Sequence, residues 1–294
     1  MDVVIGRPTW RRLALGLPTI LALAKRGFFI PYRYAGTVAP AGAANLYPAV
    51  AKLFADYADI FAEALAVLAD YDDDYRRILA DRTQGAPRFE QDWFPRLDAA
   101  MIYALVRRFQ PRRIIEVGSG HSTRFVARAV ADGKLATTIT AIDPAPRADI
   151  AALPITLLRD AVPNCGLAPF ESLRPGDLLM IDSSHILMPG TDVDFLLSSV
   201  LPNLKPGTLV HIHDMMLPDD YPADWAWRGY NEQPAVAALL GGGVWQPLFS
   251  SHWAVTRMAP AVAQSAVAGL PLLDGARESG LWLERRGRGQ RTYL

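Results

Sequence analysis

The spacing of hydrophobic positions predicts helices in the first part of the chain. From Val50 to Leu68, apolar side chains recur at intervals of three and four residues, which places them on one face of an amphipathic helix. This pattern predicts a helical N-terminal extension over residues 1–92. Another helix is predicted from Pro95 to Phe109, because the helical spacing continues there until Pro111 interrupts it.

The pattern changes after Pro111, where short apolar runs begin to alternate with helical stretches. The runs predicted as strands are Arg113–Val117, Thr138–Ile142, Ile155–Leu158, Leu178–Ile181, Thr208–Ile212 and Val244–Phe249. Such uninterrupted runs are typical of strands buried on both faces of a mostly parallel sheet. The predicted crossover helices are Thr123–Val130, Asp192–Leu201 and Gln233–Leu240. The alternation predicts a doubly wound α/β domain over residues 93–294.

One apolar run near the start, Leu13–Ala24, follows two arginines in the way that the apolar part of a signal peptide does. The run is shorter than the ~20 residues that a bilayer-spanning helix needs, and Pro18 lies inside it. Lys25 and Arg26 follow at once, where a cleavage site would prefer small neutral residues. We therefore predict a buried or interfacial helix that packs on the α/β domain, and no transmembrane segment; peripheral contact with a membrane is the alternative.

The composition of the chain excludes several classes of protein. Hydrophobic residues make up 51% and charged residues 20% of the chain, which excludes a disordered protein. The 30 basic and 30 acidic side chains balance, so no nucleic-acid partner is expected. The lone cysteine, Cys165, excludes a disulfide framework and a cysteine-rich zinc module. The composition therefore predicts a globular enzyme, and the short, charge-flanked apolar run favours a cytoplasmic location.

The most informative motif runs from Glu116 to Thr123. A predicted strand ends at Val117, continues into the turn Gly118–Gly120 and then enters a helix, a geometry in which backbone N–H groups approach a ligand closely. A dinucleotide fingerprint would have a third glycine where Thr123 stands. The carboxylate of Glu116 would repel a pyrophosphate but would suit the ammonium of a nucleoside that carries an amino acid.

Two further acids stand at the predicted ends of the next strands. Asp143 follows the second strand, where carboxylates accept hydrogen bonds from ribose hydroxyls in nucleotide-binding α/β folds. Asp160 follows the third strand, where it would meet an adenine amino group. The alternative for Asp160 is a helix N-cap, and both interpretations remain open at this point.

Titratable side chains also follow the fourth and fifth strands. Asp182 and His185 come after one strand, while His213 and Asp214 come after the other. Because open α/β sheets bind ligands at this edge, we expect these groups to converge. Either His185 or His213 serves as general base, or Asp182 and Asp214 hold a divalent metal with histidine as a further ligand. His211 is interpreted as a packed core histidine.

These motifs resemble those of the class I S-adenosylmethionine-dependent methyltransferases, and more narrowly the bacterial branch called methyltransferase domain family 24. The resemblance rests on Glu116-Val117-Gly118-Ser119-Gly120, Asp143, Ile181-Asp182-Ser183-Ser184-His185 and His211-Ile212-His213-Asp214, with Asn231-Glu232-Gln233 in agreement. Gly280–Arg285 resembles the last strand of that branch. The resemblance implies a Rossmann-like class I methyltransferase fold with a mostly parallel seven-stranded sheet.

Carried over position by position, the resemblance also implies a site for S-adenosylmethionine. The residues implied to bind it are Glu116, Gly118, Ser119, Gly120, Ser122, Asp143, Asp160 and Asp182. Metal-dependent relatives place acids where Asp182 and Asp214 stand, and usually carry Asn or Asp where this chain has Met215. The sequence therefore favours His185, His213 and Asp214 as the catalytic groups, while a site for Mg²⁺ at Asp182 and Asp214 stays open.

The predicted function is methyl transfer to an oxygen or nitrogen of a small molecule. Two alternatives keep the same cofactor: a cyclisation without methyl transfer, or a non-catalytic partner protein that binds the cofactor only to stabilise an assembly. A nicotinamide oxidoreductase is disfavoured because the third glycine is absent. A homodimer through the N-terminal helices stays open.

Overall fold

The computed structural model describes residues 7–40, 42, 47–146 and 149–287. The chain divides into two compact units, one of residues 1–45 with 220–230 and one of residues 46–219 with 231–294. The sequence-based boundary between residues 92 and 93 stays a prediction, as does the packing of the first helix on the α/β domain.

The described residues of the first unit include one α-helix and a cluster of aromatic rings. Helix α1 (Arg7–Ile20) carries Pro18 within it and is followed by turns and irregular backbone that include a 3₁₀ turn, Ala35–Thr37. In residues 220–230 of this unit, the guanidinium of Arg228 lies 4.0 Å from the ring centre of Trp225. The Trp225 ring is stacked with that of Tyr221. Among the described residues, no helix is long and apolar enough to cross a membrane.

The second unit begins with helices that border the sheet. They are α2 (Pro48–Asp56), α3 (Ala58–Val67), α4 (Asp72–Ala80) and α5 (Arg96–Phe109). The single helix predicted from Val50 to Leu68 is wrong, because the backbone leaves the helical region at Tyr57 with φ −110° and ψ 12°. The break lets Phe54 and Phe61 meet edge to face at 5.6 Å, and lets each pack against an aromatic side chain of the segment Phe249–Trp253.

The strands and helices of the α/β core follow in alternation. They are β1 (Arg113–Val117), α6 (His121–Asp132), β2 (Thr138–Ile142), β3 (Thr156–Leu158), α7 (Val162–Cys165), α8 (Ala168–Glu171), β4 (Leu178–Ile181), α9 (Asp192–Phe195), β5 (Leu209–Ile212), α10 (Gln233–Gly241), β6 (Trp245–Ser250), α11 (Ser251–Arg257), α12 (Ala259–Gln264) and β7 (Leu281–Arg285). A wider helical turn, Leu196–Val200, continues α9. The ends of most predicted strands therefore lie within one residue of the ends of the observed strands.

The sheet has seven strands in the order β3-β2-β1-β4-β5-β7-β6, and only β7 runs antiparallel to its neighbours. Val117 pairs with Ile142 on one side and Ile181 on the other, and Ile181 pairs with Ile212. The carboxyl ends of β1, β2, β4 and β5 therefore lie level at one edge. The predicted Rossmann-like class I fold with N-terminal helices is confirmed.

Candidate active site

Strand β1 ends in a fully buried acid beneath the glycine turn. The hydroxyl of Ser122 donates to Oε1 of Glu116 at 2.5 Å, while Oε2 has no hydrogen-bond partner among the residues that the structure describes. Burial disfavours the charged carboxylate more than Ser122 and Thr123 favour it, and so raises the pKa of Glu116 to about 7. This acid is ready to accept a cation.

The turn itself requires glycine where β1 and β4 approach each other. Gly118 has φ +80°, and a Cβ there would overlap the carbonyl oxygen of Asp182. The amide of Asp182 donates to Val117 O at 2.9 Å, which fixes this contact. No atom of the described residues lies within 4 Å of a Cβ built on Gly120, so there is open space beside the turn.

Asp143 joins the end of β2 to the same turn. Its Oδ2 accepts hydrogen bonds from the backbone N–H of Ser119 at 2.8 Å and from the Ser119 hydroxyl at 2.7 Å. Its Oδ1 accepts from the amide of Ala145 at 2.8 Å. The structure thus brings the predicted cofactor residues of the turn, Glu116, Ser122 and Asp143 together at one end of the sheet.

Asp160 is exposed after β3 and makes local contacts. Its Oδ1 accepts from the amide of Ala161 and from the side chain of Asn164, both at 2.7 Å. The N-cap of α7 is Ala161 and carries no side-chain capping bond, so Asp160 is not the N-cap that the sequence left open as an alternative. Its predicted contact with adenine stays a prediction.

The predicted groups after β4 and β5 do converge. His185 Nε2 lies 3.3 Å from Asp182 Oδ1 and 3.6 Å from Asp214 Oδ2. His213 Nδ1 lies 3.7 Å from Asp182 Oδ1 and 3.6 Å from Asp214 Oδ1. One ligand atom from each of Asp182, His185 and Asp214 lies within 4.8 Å of the other two, a spacing that suits a metal ion.

Two members of this cluster have an unusual backbone conformation. His185 and Asp214 have φ of +59° and +55°, in the left-handed region that costs most residues on the order of 1–3 kcal/mol. Asn231 holds the loop at His185 by three hydrogen bonds: its amide donates to His185 O at 3.1 Å, and its side chain exchanges two bonds with the backbone of Leu187. The surrounding structure therefore imposes the position of the imidazole.

Sequence reasoning missed two buried acids that complete the cluster. Glu232 Oε1 lies 2.6 Å from His185 Nδ1, and Asp98 Oδ2 lies 3.3 Å from His213 Nε2. Asp98 was detectable as an acid on the apolar face of the helix predicted from Pro95 to Phe109. Glu232 lies in a segment that the resemblance marked, but nothing local indicated its partner.

The carboxylates of the cluster favour positive charge on the two imidazoles that they surround. Burial alone would lower the pKa of His185 and of His213, but the carboxylates around each ring outweigh it and raise both pKa values well above the usual one. Burial would likewise raise the pKa of Asp182, but the two imidazoles hold it well below its usual range. Four carboxylates around two imidazoles leave excess negative charge, which a divalent cation would balance.

Exposure differs sharply within the cluster. The Asp182 side chain is 38% exposed, that of Asp214 is 10% exposed, and each imidazole is 3% exposed. Within the cluster, Asp182 is therefore the side chain most accessible to a substrate, while the histidines lie beneath it.

His211 is placed in the core, as interpreted from the sequence. Its ring packs at 4.9 Å from Trp282 and 5.8 Å from Phe94. Burial lowers the pKa of His211 to about 3, so the ring is neutral.

Comparison with known proteins gives a family match within the α/β core. Residues 115–215 match the Methyltransferase domain family Methyltransf_24. This stretch runs from within β1 to just after β5, and so includes the glycine turn and the Asp182–Asp214 cluster. No curated protein matches the chain.

The comparison with solved structures gives matches at low identity and with TM-scores below 0.5. TomG, an O-methyltransferase from Streptomyces achromogenes solved with SAM, is 17% identical with a TM-score of 0.38, over 76% of this chain and 90% of TomG. SAH-bound PaMTH1 from Podospora anserina is 14% identical with a TM-score of 0.40, over 89% of this chain and 100% of PaMTH1. MycE of the mycinamycin pathway, solved with Mg and SAH, is 17% identical with a TM-score of 0.36, over 64% of this chain and 49% of MycE.

Such distant similarities do not identify a cofactor or substrate for this chain. The family match agrees with the resemblance seen in the sequence, and the sheet has the seven, mostly parallel strands that the resemblance implied. Residues 115–215 of this chain therefore match a methyltransferase domain.

Proposed function

We propose that this chain transfers the methyl group of S-adenosylmethionine to a hydroxyl oxygen of a small molecule, with a divalent cation held by Asp182, His185 and Asp214. One observation carries the proposal: the cluster that can hold a metal lies next to the glycine turn, because Gly118 is packed against the backbone of Asp182. Donor and acceptor would thus meet at one edge of the sheet.

The residues around the turn fit the cofactor. The unpartnered Oε2 of Glu116 is a buried acceptor for the ammonium of the methionine part. The open space beside Gly120 admits a ligand close to the backbone. Asp143 is half-buried at the end of β2, where its carboxylate has lone pairs left for the ribose hydroxyls.

The donor set of two carboxylates and an imidazole also fits a divalent metal. Bound there, the cation would lower the pKa of an acceptor hydroxyl and so favour an oxygen nucleophile. The near-complete burial of both imidazoles favours His185 as a ligand over a histidine base, because a base must come within hydrogen-bond reach of the acceptor.

The proposed methyl transfer requires no covalent bond between the protein and the substrate or cofactor. The S–CH₃ bond of the sulfonium breaks as the O–CH₃ bond forms, which leaves S-adenosylhomocysteine. The protein must hold the acceptor oxygen in line with the methyl carbon and exclude competing water. Asp182, the exposed member of the cluster, would orient the acceptor hydroxyl, and its proton would leave to a neighbouring carboxylate or to water.

Calorimetry with S-adenosylhomocysteine tests the cofactor assignment. Asp143→Ala should weaken binding about ten- to a hundredfold, because a charged hydrogen bond contributes about 1.5–3 kcal/mol. Asp149→Ala is the matched control, since Asp149 is an exposed acid in the loop that follows β2. Unchanged affinity in Asp143→Ala would remove the ribose assignment.

Product analysis separates the remaining alternatives. A methylated acceptor together with S-adenosylhomocysteine supports methyl transfer, whereas a cyclised fragment of the cofactor supports a non-methylating enzyme. Tight cofactor binding without turnover on a broad panel of hydroxylated acceptors would favour a non-catalytic partner. A cytoplasmic location remains a prediction that rests on the short, charge-flanked apolar run Leu13–Ala24.

A further inference from the structure

We propose that Glu232 and Asp98 are positioning residues that turn Nε2 of His185 and Nδ1 of His213 toward Asp182 and Asp214. This inference rests on the metal site of the proposed function, whose ligand atoms come from Asp182, His185 and Asp214. The imidazole in that set would select a cation such as Co²⁺ or Zn²⁺ over Mg²⁺.

The first pair is Glu232 with His185. Both side chains are at most 3% exposed, and the 2.6 Å contact joins Glu232 Oε1 to the ring nitrogen Nδ1. A carboxylate at this distance keeps a proton on Nδ1, which leaves the lone pair of a neutral ring on Nε2. That nitrogen is the one that faces both Asp182 and Asp214.

The second pair, Asp98 with His213, has the opposite ring orientation. Asp98 is fully buried and accepts the backbone N–H groups of Ser279 and Gly280, each at 2.9 Å. Its Oδ2 faces Nε2 of His213, so the lone pair falls on Nδ1, which is turned toward the same two carboxylates. Gly280 is required here, because a Cβ would lie 2.9 Å from Asp98 Oδ1.

The two pairs enclose the carboxylates between imidazole nitrogens that come from separate strands. Imidazole favours transition metals, whereas Mg²⁺ prefers sites made of oxygen alone. Partner carboxylates of metal-binding histidines typically contribute ten- to a hundredfold to metal affinity. The buried acids therefore set both the strength of metal binding and the choice of metal.

The test is the affinity of the purified chain for Co²⁺, Zn²⁺ and Mg²⁺, measured by calorimetry without acceptor. Wild type should bind Co²⁺ or Zn²⁺ at least tenfold more tightly than Mg²⁺. Glu232→Ala should lower Zn²⁺ affinity about ten- to a hundredfold, Glu232→Gln should restore part of it, and the exposed Glu171→Ala should leave it unchanged. Nitrogen-15 spectra of the Zn²⁺-loaded protein should show His185 protonated at Nδ1.

The results of these binding experiments distinguish a failure of this inference from a failure of the proposed function. If wild type binds none of the three ions, the metal site of the proposed function is wrong. If wild type binds Zn²⁺ and Glu232→Ala binds it equally well, Glu232 is structural and this inference is overturned. Asp98→Asn is expected to act like Glu232→Ala, but because Asp98 lies in the core, the Glu232 variants decide the question if it fails to fold.

We also infer, from a separate observation, that residues 10–38 form a docking surface for an anionic membrane. Several large apolar side chains in this segment are at least 51% exposed; they include Trp10, Leu17, Ile20, Leu23, Phe29 and Ile30. An apolar surface of this extent marks an interaction site.

The charge of this segment indicates that an anionic membrane is the partner that binds it. Residues 3–45 contain no acid, and their basic residues are Arg7, Arg11, Arg12, Lys25, Arg26 and Arg33, although the whole chain has zero net charge. A symmetric dimer through this segment would place like charges against each other, whereas an anionic lipid surface is attracted by the bases and accepts the aromatic side chains.

Vesicle sedimentation tests this surface. The chain should bind vesicles that contain phosphatidylglycerol and not vesicles of phosphatidylcholine alone. The double variant Lys25→Glu/Arg26→Glu should weaken binding tenfold or more, since each base near an anionic surface contributes about 1 kcal/mol. Leu272→Ser/Leu273→Ser, at two exposed apolar positions elsewhere, is the control. Equal binding by the charge variant, or a dimer in solution that Phe29→Ser/Ile30→Ser dissociates, would overturn the inference.

Discussion

Replacing Glu116 by Gln should change both the pH dependence of stability and the proton balance of cofactor binding. In the folded chain, burial raises the pKa of Glu116 from 4.5 to about 7. The folded state therefore holds a proton that the unfolded state releases between these pH values, and wild-type stability falls as pH rises through this window. Above pH 7 both states are ionised, and the loss is complete.

The size of the effect follows from the two pKa values. Between pH 5 and pH 8, this single group should lower the free energy of unfolding of wild type by about 2.5 kcal/mol relative to Glu116→Gln. The variant keeps an acceptor for the Ser122 hydroxyl but cannot ionise. Urea unfolding at both pH values measures the difference, with the exposed Glu171→Gln as control. Equal pH dependence in wild type and Glu116→Gln would refute the buried-acid account.

Cofactor binding supplies a second readout of the same group. If the ammonium of S-adenosylhomocysteine pairs with Glu116, binding forces the carboxyl to ionise. At pH 7 about half of the chains would then release a proton, because the pKa of the free site is about 7. Calorimetry in buffers of different ionisation enthalpy counts this proton. Proton release that persists in Glu116→Gln would show that another group is responsible.

Further predictions concern the glycine turn and the metal cluster. Gly118→Ala should destabilise the fold by several kcal/mol in urea unfolding, because its Cβ would overlap the backbone of Asp182, whereas Gly85→Ala, also at positive φ but in open space, should cost about 1 kcal/mol. Asp182→Asn should weaken Zn²⁺ binding at least tenfold in calorimetry while S-adenosylhomocysteine affinity stays within about threefold of wild type. His185→Ala should lower turnover about a hundredfold or more at unchanged cofactor affinity, and a smaller loss would argue against its role as a ligand.

Local sequence patterns predicted the sheet well for a physical reason. Each parallel strand is buried on both faces, so its aliphatic run is unbroken and its ends are marked by a turn or a polar residue. The strand ends in turn predicted which acids and histidines would share one edge. The break at Tyr57 could not be predicted, because the apolar spacing continues through it and packing of Phe54 and Phe61 decides the bend.

The carboxylate partners of His185 and His213 could not be predicted from the sequence, for a different reason. Asp98 is 115 positions from His213 and Glu232 is 47 positions from His185, so no local pattern links them. The left-handed backbone at His185 and Asp214 is likewise imposed by tertiary contacts and not by residue type. Sequence therefore placed the reactive groups, but the structure was needed to show which carboxylates orient them.

The most direct test of the central claim is a crystal structure of the chain grown with S-adenosylhomocysteine and Zn²⁺, with anomalous data collected at the zinc edge. The account predicts an anomalous peak between Asp182, His185 and Asp214, and cofactor density over the Gly118–Gly120 turn with its ribose at Asp143. Cofactor density away from the turn, or a fully occupied cofactor site with no anomalous signal at the cluster, would contradict it.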